Sequence, residues 1–134
     1  ADIPFVWESG GRYWWIDAKG NVLGMVEGPG DLVIIHDLAG VARDPKGYIV
    51  GVPWDLARGM IDALPVAKNY DYLSQEGLVL RVTVHEWPVY LGYEGDAQAK
   101  VALMRKLVEQ LSARGIDVEY IDLCNERHVT YKER

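Results

Sequence analysis

The sequence predicts an α+β domain: a largely antiparallel or mixed β-sheet with two helices packed on one face and a C-terminal edge strand. Three observations lead to this fold class. The 134 residues suit one domain. Short alternating or apolar runs, separated by turns rich in Gly, Asn and Asp, outnumber the helical segments. Only two segments repeat apolar residues at helical spacing, and each has a single apolar face.

The first half of the chain predicts short strands joined by tight turns. Residues 3–7 form an apolar run, and Pro4 favours an edge strand because proline donates no hydrogen bond to a ladder. An Asp- and Gly-containing loop between two apolar runs predicts a hairpin. Residues 37–52 are expected to be mainly loop. The strands predicted in this half are 3–7, 13–16, 22–25 and 32–35.

Helix signals in the second half are clearer. Pro53 suits the first turn of a helix that Pro65 ends. Asp96 is a typical N-cap of a second helix, and Gly115 suits the position just past its end. Ala97, Val101, Met104, Leu107, Val108 and Leu111 form the apolar stripe of this helix, whereas Lys100, Arg105, Lys106, Glu109 and Gln110 are assigned to its polar side. The predicted strands are 69–73, 78–84, 88–91, 118–123 and 128–132, and the strand–helix–strand passage from 91 to 118 allows one parallel pair.

Composition and residue pattern exclude several classes of function. The net charge is −6 with no dense Lys or Arg cluster, which argues against a nucleic-acid partner. The one cysteine, Cys124, cannot form an internal disulfide. His36-Asp37 and His85-Glu86 point their side chains to opposite faces of a strand, so the sequence predicts no metal site and no cofactor.

One alternative is a small ligand-binding or hydrolytic domain. It would use the Trp-rich strand around Trp14 and Trp15 together with His36 or Cys124. Such a site needs a concave pocket with a polar group at its base. His128 could approach Cys124 across the last hairpin, although a third catalytic group is not evident. Asp17 is more typical of a residue that bonds its own turn.

Three segments, in their order along the chain, resemble the extracytoplasmic β domain of the bacterial cell-division protein family FtsQ, called DivIB in Gram-positive bacteria. They are the strand–Asp–x–x–Gly–strand run 13–23, the sequence 89–92 followed by Lys100 and a Leu-rich helix, and the closing run 120–132. One departure is Cys124, which stands where the family usually has Arg after Asp-Leu.

The resemblance implies a non-enzymatic scaffold of the divisome. Family members are single-pass inner-membrane proteins at the division septum, and their β domain, on the periplasmic side, binds the small membrane proteins FtsB and FtsL. Residues 1–134 would then be a single excised β domain, without the membrane helix and POTRA domain of the full-length protein.

The resemblance also implies where partners bind. The family's last strand and the turn before it correspond here to Asn125, Glu126, Arg127, His128, Val129, Thr130, Tyr131 and Lys132. The pattern of the chain leads independently to the same place, because an unpaired final strand exposes backbone N–H and C=O groups. We therefore expect a partner strand to add to this edge, with Tyr131 contributing to specificity.

Overall fold

The structure is a computed structural model that describes residues 2–82 and 85–134. Within these residues it has two helices, α1 (Trp54–Ala63) and α2 (Ala97–Ala113). The strands are β1 (Phe5–Ser9), β2 (Arg12–Ile16), β3 (Val22–Val26), β4 (Val33–Asp37), β5 (Asn69–Leu73), β6 (Gly77–Val82), β7 (Trp87–Gly92), β8 (Val118–Asp122) and β9 (Thr130–Glu133).

All nine strands belong to one mixed sheet with the order β3-β2-β1-β4-β5-β6-β7-β8-β9. Three neighbouring pairs are parallel: β1 with β4, β4 with β5, and β7 with β8. The other pairs are antiparallel. α1 connects β4 to β5 and α2 connects β7 to β8, so two of the parallel pairs arise from helical crossovers. The predicted α+β class, with its terminal edge strand, is confirmed.

The core lies between the sheet and the two helices. Alternate strand residues face the helices and are buried, among them Trp7, Ile35, Tyr70 and Leu91. The helices approach closely, since a Cβ built at Gly59 of α1 would lie 2.9 Å from the Cβ of Ala97 in α2. The opposite face of the sheet carries no described helix, and we call it the open face.

One strand prediction is wrong. β1 is not an edge strand: it lies between β2 and β4 near the middle of one half of the sheet. Phe5, Val6 and Trp7 are completely buried. Pro4 does not interfere because it precedes the strand, so every residue of β1 retains its N–H. The proline marks where the strand begins rather than its place in the sheet.

The described ends of the other predicted strands differ from the prediction by no more than two residues. The predicted extension of β6 over Thr83 and Val84 lies outside the described residues. Pro53 directly precedes α1, and Asp96 caps α2 by accepting the backbone N–H of Gln98 at 2.9 Å. No described helix combines the length and apolar character needed to span a bilayer.

Candidate functional site

The candidate site is the free edge of β9. β9 pairs with β8 on one side, and no strand of the described chain lies on its other side. All four of its residues are exposed. Ile121 pairs with Tyr131 and Asp122 with Thr130, and the register shifts between Val118 and Tyr120. The shift leaves Glu119 of β8 without an opposite residue, and pairing continues past it between Val118 and Glu133.

β9 begins at Thr130, two residues later than predicted, because the preceding segment has other partners. The backbone N–H of Leu123 donates to the carbonyl of Tyr90 in β7 at 2.8 Å. The N–H of His128 donates to the carbonyl of Asn125 at 3.0 Å, which closes a turn. Residues 123–129 are therefore a seven-residue connection rather than a tight hairpin.

The hydrogen-bond pattern determines which groups of β9 face outward. Leu123 bonds toward β7, so by alternation the backbone groups of Tyr120 and Asp122 face β9. Their partners Lys132 and Thr130 therefore face inward. The N–H and C=O of Tyr131 and Glu133 face away from β8. Consistent with this alternation, the N–H of Arg134 points inward, to the carbonyl of Asp117 at 3.2 Å.

A buried lysine joins the elements next to this edge. Lys100 of α2 has no exposed surface. Its Nζ donates to the carbonyls of Leu91 at 2.7 Å, Leu123 at 2.6 Å and Cys124 at 3.3 Å. Burial lowers the pKa of Lys100, whereas surrounding carboxylates, first among them Glu126, act to raise it. The ammonium thus ties the ends of β7 and β8 to the connection that leads to β9.

Glu126 closes the same network from the connection itself. Its Oε1 accepts the backbone N–H of Asp96, the N-cap of α2, at 2.6 Å. Gly95 permits this contact because its φ is +114°, and a Cβ there would collide with Glu126 and Lys100. Glu126, one of the predicted partner-binding residues, therefore also holds the connection against the start of α2.

The assignment of Lys100 to the polar side of α2 is wrong. Position 100 lies one turn after Ala97 and one turn before Met104, so it falls on the apolar stripe. Carbonyls at the ends of β7 and β8 help make its burial favourable, and the carbonyl of Leu123 comes from a segment distant in sequence. The spacing of the residue was a signal that could have revealed it.

The predicted binding residues share one edge but differ in exposure. Three of the eight, Thr130, Tyr131 and Lys132, lie in β9, and the other five lie in the connection directly before it. Val129 is partly buried and packs on the core. Glu126 is half-buried, and Asn125 accepts the N–H of Arg127 through its side chain at 3.0 Å. A shallow cleft of about 420 Å³, lined by Glu94, Gly95, Cys124, Asn125, Glu126 and Arg127, adjoins them.

The residues of the alternative site are not brought together. Trp14 faces the helices and is 3% exposed, whereas Trp15 lies on the open face and is 40% exposed. His36 in β4 is four strands from β8, or about 19 Å at the usual strand spacing, and Cys124 follows β8. Burial, followed by the hydrogen bond to Asp122, raises the pKa of the Cys124 thiol to about 11, so the thiol is protonated at neutral pH.

His36 instead belongs to a polar row on the open face. Its Nδ1 lies 2.8 Å from Oε1 of Glu8, and its Nε2 lies 3.0 Å from Oδ1 of Asn69. Both ring nitrogens face oxygen atoms, an arrangement that suits the imidazolium form. Burial by itself lowers the pKa of His36, but the hydrogen bonds to Glu8 and Asn69 and the charges of Glu8 and Asp71 outweigh it, so the pKa is raised.

We expect Lys100→Met to destabilise the fold by about 2–4 kcal/mol, because it leaves the buried carbonyls of Leu91 and Leu123 without a donor. Urea unfolding measures the loss. Lys106→Met is the matched control: this lysine lies on the same helix, is exposed, and its replacement should change stability by less than about 0.5 kcal/mol. Hydrogen exchange should quicken most in residues 123–133. Equal stability of the two variants would contradict the anchoring role.

The His36 cluster predicts a pH dependence of stability. The folded-state pKa lies above the unfolded value, about 6.5, so the stabilisation is complete below that pH and is lost as pH rises through the folded-state pKa. Denaturant titrations from pH 5.5 to 9 should show this loss in the wild type and in His128→Gln, but not in His36→Gln. A His36 pKa at or below 6.5 by NMR would contradict it.

Comparison with known proteins identifies no family for the chain: no protein-family model matches it, and no curated protein matches it. The resemblance to the FtsQ β domain therefore stays a prediction based on the three segments named above.

Proposed function

We propose that the chain is a non-enzymatic scaffold domain of the bacterial divisome that binds small membrane division proteins of the FtsB/FtsL type. The partner adds a strand to β9 during septum formation. The observation that carries this proposal is the outward-facing N–H and C=O groups of Tyr131 and Glu133 at the last position of the sheet.

The geometry of β9 sets the size of the contact. Tyr131 and Glu133 together present two donors and two acceptors to an added strand. The strand is only four residues long, so backbone pairing alone gives a weak complex. Side chains must supply the rest of the affinity and the specificity. Tyr131, 37% exposed, is the one large apolar side chain of β9 available for this.

The connection before β9 is suited to present a preformed edge. Lys100 and Glu126 attach it to the ends of β7 and β8 and to the start of α2. An edge held in place loses less conformational entropy when a partner binds. This favours a constitutive adaptor over a segment that folds only on binding.

The chemistry of the other candidate residues favours a binding role over catalysis. The thiol of Cys124 is protonated at neutral pH, and His36 is engaged by Glu8 and Asn69. Under this proposal the full-length protein is anchored in the inner membrane, and the domain lies on its periplasmic side at the septum. These locations rest on the resemblance.

The proposal is tested by proline substitution at the outward positions. Tyr131→Pro and Glu133→Pro each remove one outward N–H and leave the inward ladder to β8 intact. We expect each to weaken binding of the extracytoplasmic segment of an FtsB-type protein by tenfold or more, measured by calorimetry. Tyr131→Ala, which keeps the N–H, separates the side chain from the backbone.

Thr130 is unsuitable for this test because its N–H faces β8 and a proline would disturb the fold itself. Thermal unfolding of Tyr131→Pro and Glu133→Pro establishes that both variants remain folded. Folded proline variants with wild-type affinity would refute strand addition at β9. A complex that forms but shows its protection on β3, the opposite edge, would refute it as well.

A further inference from the structure

Away from the β9 edge, a cleft of about 710 Å³ opens where β5 begins and β6 ends. Among the residues that the structure describes, its lining includes Lys68, Arg81, His85 and Arg134, with Glu86 as the single acidic side chain. The chain as a whole has 20 acidic and 14 basic residues, whereas Lys68, Arg81 and Arg134 outnumber Glu86 in the described lining of this cleft. Asp71 and Asp117, outside the lining, each pair with one of the two arginines. The volume falls within the usual range for small-molecule sites.

From this cleft we infer a binding site for a small organic anion carrying a phosphate or carboxylate group, a role beyond the proposed scaffold function. Guanidinium groups bind both anions through paired N–H donors, and a lysine adds a point charge. Val66, Ala67 and Leu80 also line the cleft and provide apolar contact for the body of such a ligand.

Both arginines are held in a way that leaves donors for a ligand. Nε of Arg81 bonds Oδ2 of Asp71 at 3.0 Å. Nε of Arg134 lies 3.1 Å from Oδ2 of Asp117 and 3.1 Å from the carbonyl of Val118. Within residues 2–82 and 85–134 neither guanidinium makes a further hydrogen bond, so the Nη atoms of both are available.

The carboxylates that hold these arginines are themselves positioned. Asp71 lies on β5 and its side chain is only 11% exposed. Oδ1 of Asp117 accepts the indole N–H of Trp87 at 2.7 Å, and Trp87 is buried. The ring of His85 stacks on Trp87 with centroids 4.4 Å apart. A buried aromatic residue thereby orients one side of the cleft.

Lys68 contributes a separate charge. It is exposed directly before β5 and makes no ion pair with another described residue. Its backbone carbonyl accepts the N–H of Ile34 at 2.8 Å, which holds this segment against β4. Three permanent cations, Lys68, Arg81 and Arg134, thus line a cleft whose walls are partly apolar.

The test uses three probes with the same ring: phenyl phosphate, benzoate and neutral phenol, each titrated into ¹⁵N-labelled protein and followed by NMR. For at least one anion we expect saturable chemical-shift changes confined to residues that line the cleft. Its binding should weaken as the ionic strength rises. The anion that saturates the site shows whether the ligand class is a phosphate or a carboxylate. Binding of neither anion, or equal binding of phenol, would overturn the inference.

Variants supply the second arm of the test. Arg81→Gln and Arg134→Gln should each lower the affinity of the protein for the anion about tenfold. Arg58→Gln is the matched control, since Arg58 pairs with Asp62 on α1 outside the lining and should leave affinity unchanged. Lys68→Gln keeps both arginine–aspartate pairs and should also weaken binding. Equal affinity of all four variants for the anion would overturn the inference. Because the titration uses no partner protein, its outcome is independent of the proposed scaffold function.

Discussion

The ammonium of Lys100 is the constraint on which the candidate binding edge depends. It lies between the ends of β7 and β8 and bonds three backbone carbonyls there. The carbonyls of Leu91 and Leu123 follow the last paired residues of the parallel β7–β8 ladder, Tyr90 and Asp122. Charged donors make strong hydrogen bonds in such buried surroundings. Without this lysine, the connection to β9 would be held only by the hydrogen bond from Leu123 to Tyr90 and that from Asp96 to Glu126, among the contacts described above.

The two faces of the sheet serve different purposes. The helix-side face contains the core, and its buried apolar residues come from strands β1, β2 and β4–β8 and from both helices, with Val22 of β3 packed against them. The open face carries a row of paired polar groups, with Glu8, His36 and Asp71 in register across β1, β4 and β5. Arg81 extends this row to β6 and to the basic cleft. The core and the charged surface are therefore on opposite sides of the same strands.

Local sequence patterns were sufficient to predict most of the helices and strands. Alternation and turn residues predicted the hairpin of β2 and β3, and proline and cap residues predicted both helices, because these signals act between near neighbours. Position in the sheet was harder: β1 was assigned to an edge from Pro4, yet it lies between β2 and β4. Pairing with β4 joins residues about 28 positions apart, and no local signal reports it.

By itself the sequence determined the fold class, the two helices with most of the apolar stripe of α2, and the presence of a final strand, which the structure places at Thr130–Glu133. Side-chain periodicity and turn chemistry carry this information because they are local properties. Tertiary structure decided that Lys100 is buried, that Tyr131 and Glu133 rather than Thr130 face outward, and that Lys68, Arg81 and Arg134 surround one cleft. Each of these depends on hydrogen bonds or packing between segments far apart in the chain. Such contacts arise only when the sheet is assembled.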